Sequence, residues 1–318
     1  MTISKGSGRQ NGRRIFVFGS LNIDLVQRVE RLPVAGETLA GEQLQIFSGG
    51  KGANQACAAA RLGGSVYMAG RVGEDAFGAR LKKELAQSGV DVSRVETGKA
   101  ETGAAIILVL PSGENVIVIS AGANGTVTAD AASSALAEGK PGDILLCQLE
   151  IPIDATLQAL ETARKQGMIS ILDPAPAKGL PNDALSFVSI LIPNETEAAS
   201  MLGRSGPEGE SLEKARELAS ELLQHGPEVV ILKLGRQGCL VAKGDEVSAF
   251  PGHRVRAVDT TAAGDTFSGA LAAELSRGEE LATAVRFANA AAALCVTKSG
   301  AISSIPTRAD VLDFLNGH

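Results

Sequence analysis

From Asp143 onward, short apolar runs alternate with segments of helical spacing, and few folds accommodate that order. Residues 144–148, 168–172, 187–192 and 229–232 read as strands. Residues 154–166, 212–224 and 281–296 read as helices, the second with Ala215, Leu218, Ala219 and Leu222 on one face. Strands with no polar alternation belong in a parallel sheet buried on both faces. The pattern begins earlier, with strands at 14–18 and 65–69 and a helix over 76–87. The fold class expected is α/β, Rossmann-like: a mostly parallel sheet covered by helices on both faces.

Other β-rich pieces do not fit that sheet. The stretch 28–47 carries Pro33, Gly36 and Gly41, and 102–110 with 115–120 reads as a hairpin around Pro111-Ser112-Gly113. Together they are expected to form a small separate sheet. At 318 residues the chain suits one large α/β domain with such an appendage. No repeat or linker divides residues 14–318, and the polar, Gly-rich residues 1–13 are expected to be a disordered extension without a secretory apolar core. A net charge of −6 argues against nucleic acid or an anionic membrane as partner. No apolar run reaches the roughly 20 residues that span a bilayer. Cys57, Cys147, Cys239 and Cys295 are scattered among apolar neighbours without a C-x-x-C, which suits free thiols in a reducing, cytoplasmic setting. His225, His253 and His318 have no metal-ligand spacing.

The chemistry concentrates at Asp259-Thr260-Thr261-Ala262-Ala263-Gly264-Asp265. The alternating 254–258 precedes it, and Phe267, Leu271 and Leu275 follow at helical spacing until Gly278, so a strand-to-helix turn is expected. Small residues leave the first amides of that helix uncovered, a seat for a phosphoryl group beside a carboxylate. A capping role for Asp265 alone would not require two carboxylates around a run of tiny residues. A second glycine-rich turn, Ser48-Gly49-Gly50-Lys51-Gly52-Ala53-Asn54-Gln55-Ala56, runs into an Ala-rich helix and is not a Walker A loop. No G-x-G-x-x-G follows the first strand, which argues against a dinucleotide oxidoreductase. Asn22, Asp24, Asn54 and Glu150 stand at strand ends or helix starts, where each is either a turn residue or a sugar contact.

Both glycine-rich turns resemble the signatures of the ribokinase-type sugar kinases of the phosphofructokinase-B-like superfamily, and the resemblance runs from about Ile15 to near the C-terminus. Ser120-Ala121-Gly122-Ala123-Asn124, Leu146-Cys147-Gln148-Leu149-Glu150 and Asp173-Pro174-Ala175-Pro176-Ala177 strengthen it. The resemblance implies that Asp265 is the catalytic base and that the Ala263 and Gly264 amides form an anion hole. It implies sugar contacts at Asn22, Asp24, Gly50, Lys51, Asn54 and Glu150. The small sheet, about 25–47 and 100–121, becomes a lid that pairs to make a homodimer. ATP would lie on Asn194, the loop Lys233, Leu234, Gly235, Arg236, Gln237 and Gly238, then Gly264 and Asn289. Lys233 and Asn289 depart from the family, which commonly has Thr and His there. Asn194-x-x-Glu197 reads as a capping box and, by resemblance, as the element near water-coordinated magnesium. Asp259, Thr261, Cys295, Lys298, Gly300 and Ser304 match a potassium site, potassium being an activator. The activity implied is phosphorylation of D-ribose at its 5-hydroxyl by ATP with magnesium. A related kinase for deoxyribose, a ketose or a nucleoside, or a non-catalytic sugar or nucleotide sensor, stays as an alternative.

Overall fold

The computed structural model describes residues 12–177, 179–181, 183–204 and 211–317. In chain order the strands are β1 (Arg14–Phe18), β2 (Asn22–Arg28), β3 (Gln45–Gly49), β4 (Ser65–Gly73), β5 (Asp91–Gly98), β6 (Gly103–Val109) and β7 (Asn115–Ser120). Then follow β8 (Ile144–Cys147), β9 (Ile169–Leu172), β10 (Ile190–Leu191), β11 (Val229–Lys233), β12 (Gly238–Lys243) and β13 (Glu246–Pro251). The helices are α1 (Lys51–Arg61), α2 (Ala76–Gln87), α3 (Ala129–Ala135), α4 (Ile153–Lys165), α5 (Glu195–Met201), α6 (Leu212–Gln224), α7 (Ala263–Ser276), α8 (Leu281–Cys295) and α9 (Arg308–Asn316).

The main sheet has nine strands in the order β13-β12-β11-β10-β9-β8-β1-β4-β5, parallel from β11 to β5 and antiparallel at β12 and β13. Strand β1 shows how one short run feeds two cores. Ile15 and Val17 face a cluster shared with α1, α2, α7, α8 and α9. Phe16 and Phe18 face the opposite cluster, shared with α3, α4, α5 and α6. Both faces are therefore covered, and the mostly parallel α/β expectation holds. After β1 the chain builds outward through β4 and β5, and from β8 it builds the other way. Strand order reverses between β1 and β8, and in open α/β sheets ligands bind outside the carboxyl ends of the strands at such a point.

Four strands form a second sheet, β3-β2-β6-β7, with β2 and β6 parallel and both outer pairs antiparallel. Every residue of β7 is exposed. Within the expected segment 25–47, only its two ends are strand.

Two expectations need correction. Residues 254–258 do not form a strand: their alternation leads to no buried face, Val258 being 64% exposed. The chain crosses there as an irregular segment after the β12–β13 hairpin. The expected strand 187–192 shrinks to Ile190–Leu191 behind a 3-10 turn at Ala184–Phe187. The expected N-terminal extension lies outside the described residues for 1–11, and the Arg13 amide already bonds the Ser276 carbonyl at 3.0 Å.

Candidate active site

Helix α7 is buried on all sides from Asp265 to Ser276. Gly269 makes this possible, since a Cβ there would lie 2.6 Å from Ala58 Cβ and 2.7 Å from the Gln55 carbonyl oxygen. The close crossing brings the start of α7 onto the start of α1. Ala262, the residue before α7, adopts φ 60°, a left-handed conformation that a non-glycine residue holds only at a cost of about 1–3 kcal/mol. That kink aims the first amides of α7 outward. The Ala263 amide bonds the Thr260 carbonyl at 3.3 Å. Among the described residues, the amides left without a backbone partner at this end are those of Gly264 and Asp265, one residue further along than the expected Ala263 and Gly264.

Asp265 is only 7% exposed. Asn54 Nδ2 donates to its Oδ2 at 2.9 Å, and Gln55 Nε2 donates to its Oδ1 at 3.0 Å. Burial pushes the Asp265 carboxyl up and nearby Asp173 adds to this, while Lys51 and the two amide donors pull it back. Among the described residues Asn54 Oδ1 is buried without a partner, which suits a hydroxyl-bearing ligand beside the carboxylate.

Behind the base lies a chain of polar groups. Gln55 Nε2 also donates to Asp173 Oδ2 at 2.9 Å, and Gln148 Nε2 fixes Gln55 by donating to its Oε1 at 2.6 Å. Asp173 in turn accepts from Lys233 Nζ at 3.1 Å. Sequence alone assigns no role to Gln55, Gln148 or Asp173. Asp173 was within its reach, since it follows β9 as a strand-end carboxylate, the same signal that marks Asp24. Lys51 is pulled two ways: burial lowers its pKa, but Asp265, Asp173, Glu150 and Glu197 together raise it above the ordinary lysine range. It stays an ammonium.

At the β1–β2 end, Gly50 adopts φ 89° before α1, and a Cβ there would lie 2.7 Å from the Asn22 amide nitrogen. Glycine alone lets the two backbones meet. Glu150 Oε2 accepts from Ser20 Oγ at 2.5 Å and from the Lys51 amide at 3.0 Å. Both bonds use one oxygen, leaving Oε1 without a hydrogen bond among the described residues. Asn22 Oδ1 accepts from Asn124 Nδ2 at 2.7 Å, and Asn124 also clasps the Leu21 backbone in both directions. Asp24 faces the same space: burial, then Glu150 and Asp265, raise its carboxyl from 3.8 to about 6. Asn22, Asp24, Gly50, Lys51, Asn54, Glu150 and Asp265 thus converge on one crevice.

The expected nucleotide loop leaves β11 as a 3-10 turn, Gly235–Gln237, closed by the Leu234 amide on the Gly238 carbonyl at 2.8 Å. Arg236 and Gln237 are exposed there. Asn289 is turned inward, with Nδ2 3.4 Å from the Phe250 carbonyl and 3.7 Å from Cys239 Sγ. Asn194 and Glu197 form a complete capping box at 2.8 Å in each direction, and Asn194 bridges to Lys233. Capping is therefore sufficient to account for the geometry of this motif, while Glu197 still contributes charge at Lys51.

Asp259 gathers the remaining positions. Its Oδ1 accepts from the Thr261 amide (2.9 Å) and hydroxyl (2.6 Å), and its Oδ2 from the Gly300 amide at 2.9 Å. Burial pushes its carboxyl up, but these donors together with Ser299 outweigh it and hold it below the usual range. Cys295 Sγ lies 3.7 Å from the Thr261 carbonyl and 3.1 Å from Ser304 Oγ. Lys298 is exposed and joins the loop through its amide on the Cys295 carbonyl. Among the described residues, no group of three His, Cys, Asp or Glu side chains is placed to cage a metal ion.

The site combines open helix-start amides, a buried carboxylate and polar side chains able to bond hydroxyls, the components that phosphoryl transfer to an alcohol needs. Over residues 13–308 the sequence matches the pfkB family carbohydrate kinase description, and the chain belongs to that family. It is a carbohydrate kinase. The ribokinase of Haemophilus influenzae is 42% identical over 304 residues, covering 95% of this chain and 98% of that one. Among solved structures, Arabidopsis thaliana ribokinase complexed with ribose and ATP superposes with a TM-score of 0.87 at 34% identity, covering 96% of this chain and 99% of that one. Thermotoga maritima ribokinase gives 0.86 at 36% identity with the same coverage.

Proposed function

We propose that this chain transfers the γ-phosphoryl group of ATP to the 5-hydroxyl of D-ribose, giving ribose 5-phosphate and ADP. The observation that carries the reading is Asp265, buried at the start of α7 beside the open amides of Gly264 and Asp265 and held by Asn54 and Gln55. In this mechanism Asp265 takes the hydroxyl proton as the sugar oxygen bonds to phosphorus and the bond to ADP breaks. The open amides receive the charge that develops on the transferring group, where fixed dipoles act most strongly. Asn22, Asp24, Asn54 and Glu150 hold the sugar, and Lys51 offers a charge at the same crevice. The loop 233–238 and Asn194 take the nucleotide, with Asn289 supporting the β12–β13 wall of that site.

Five carboxylates (Asp24, Glu150, Asp173, Glu197, Asp265) meet two ammonium groups (Lys51, Lys233) around the crevice, so it is net negative. That balance suits nucleotide phosphates that bring magnesium with its own waters, near Asn194 and Glu197. Bound magnesium would neutralise charge on the phosphates. Asp259 has no cationic side chain as partner among the described residues, and the carbonyl-rich turn it gathers suits a large monovalent ion such as potassium. Thr261, Cys295, Lys298, Gly300 and Ser304 would complete that site, mostly through backbone oxygens. The small sheet, placed at the sugar end through β2 and β3, would act as lid. Its apolar outer strand, with Val118 62% and Ile119 58% exposed, supports pairing of two copies. Among the described residues no helix is long and apolar enough to cross a membrane, and the free cysteines suit the cytoplasm.

The test is ADP release across a panel of D-ribose, 2-deoxyribose, ketoses and nucleosides. Highest kcat/KM on D-ribose supports the reading. A nucleoside or ketose in first place would replace it with another kinase of the family.

A further inference from the structure

Lys233 stands at the end of β11, one of the two family positions from which this sequence departs, and its surroundings explain what a lysine does there. Its ammonium does not extend into solvent. Nζ bonds Asp173 Oδ1 at 3.1 Å, and Asp173 is 1% exposed. The same Nζ lies 3.5 Å from where a Cβ on Gly264 would be. The absence of that Cβ leaves the ammonium and the open Gly264 amide on one shared surface. The Nζ has three N–H groups, and Asp173 is its one partner among the described residues. The backbone fixes the stem as well, through the Lys233 amide on the Pro193 carbonyl at 2.8 Å.

Asp173 looks both ways. Its Oδ1 holds Lys233, and its Oδ2 accepts from Gln55 Nε2 at 2.9 Å, the same nitrogen that donates to Asp265 at 3.0 Å. Gln148 locks Gln55 in that orientation. A buried carboxylate is costly unless paired and hydrogen-bonded, and Lys233 supplies the counter-charge to Asp173 behind the base. The geometry thus joins the acid–base and electrostatic parts of the site into one rigid unit.

We propose that Lys233, held by Asp173, is a catalytic cation: its free N–H groups touch the transferring phosphoryl group together with the Gly264 and Asp265 amides. Asp173 is then a positioning residue, which aims Lys233 directly and steadies Asp265 through Gln55. The inference rests on the phosphotransfer reading above and adds a charged contact to it. A lysine serves phosphate as a point charge on a flexible stem, so it needs such an anchor to be preorganised.

The test separates a lysine that acts on phosphate from one that only neutralises Asp173. Lys233→Met alone leaves a buried unpaired carboxylate, so the decisive comparison is Asp173→Asn against Asp173→Asn/Lys233→Met, neither of which buries an unpaired carboxylate at position 173. The double variant is expected to turn over about tenfold or more slowly than Asp173→Asn, with the sugar KM within about twofold. Calorimetry without sugar provides a second readout. Adding Lys233→Met should weaken ATP about tenfold and ADP little, as expected for a contact with the terminal phosphate. Lys233→Arg should keep more of the turnover than the double variant. Equal kcat in the single and double variants, with equal ATP affinity, would overturn the proposal and leave Lys233 as a counter-ion. The ATP and ADP affinities contain no sugar term, so they decide on Lys233 even if D-ribose is not the substrate.

Discussion

Asn54 and Asp265 lie 211 positions apart in sequence, yet Asn54 Nδ2 donates to Asp265 Oδ2 at 2.9 Å in the buried junction of α1 and α7. Each glycine-rich turn starts one of these helices, and Gly269 lets the helices cross closely enough for the pair to meet. Asn54→Ala should therefore do two things at once. It removes a sugar-side hydrogen-bonding group and leaves one oxygen of the base without its donor. A bond to a charged group contributes about 1.5–3 kcal/mol, so kcat/KM should fall roughly ten- to hundredfold. Steady-state kinetics with circular dichroism as a fold control checks this.

Asp24 gives the pH signature. Its carboxyl is raised to about 6 from 3.8 by burial, Glu150 and Asp265. If the ionised form accepts sugar hydroxyls, sugar affinity is flat above about pH 7 and falls below pH 6. The effect on stability has the opposite sign. A folded-state pKa above the unfolded one means stability is fully present below 3.8 and is lost as pH rises through 6. Asp24→Asn should flatten that loss in the ligand-free protein while weakening sugar binding and sparing ATP. Calorimetry of each ligand and denaturation between pH 4 and 7 test both arms, and equal loss of both ligands would make Asp24 structural.

The two turns were legible in the sequence because glycines and alanines massed at a helix start bare its backbone amides, which capping alone does not require. The sheet was legible because buried parallel strands leave unbroken apolar runs. What stayed hidden has physical causes. Strands β5 and β13 have at most one buried residue each, so they carry no buried-run signal. Residues 254–258 alternate but have no face to bury. Asp173 carried a strand-end signal, but Gln55 acquires its role only when α1, β9 and α7 come together, and no local pattern records a contact over 118 positions. The amide register at α7 depended on the left-handed Ala262, which alanine rarely adopts and which a sequence does not announce.

Asp259 should govern the response to potassium. Its carboxylate ties Thr261 to Gly300 and so supports the turn that carries the open amides. Turnover and thermal midpoint should both rise in potassium relative to sodium or tetramethylammonium at fixed ionic strength, the midpoint through binding to the folded state alone. Asp259→Asn should remove most of both responses and leave sugar affinity nearly unchanged. Equal rates and midpoints in all three salts would leave Asp259 as a turn residue.

Glu150 is expected to act in structure and in binding. With Ser20 and the Lys51 amide both on Oε2, Glu150→Ala takes one bond from the start of α1 and one from the turn between β1 and β2. The variant should lose about 1–3 kcal/mol in urea denaturation and weaken the sugar, whereas Glu150→Gln should regain much of the stability. Recovery of binding to the wild-type level by Gln would show that the free oxygen needs no charge.

The most direct measurement is phosphorus NMR of the product formed from ATP and D-ribose by the wild type and by Asp265→Asn. The wild type is expected to give a new phosphate ester coupled to the two C5 protons. Asp265→Asn, isosteric but unable to take the proton, should form it about 10²- to 10⁴-fold more slowly in a folded protein. An ester at another carbon, or a rate in the variant above about half of the wild type, would contradict the assignment of Asp265 as the base for the 5-hydroxyl.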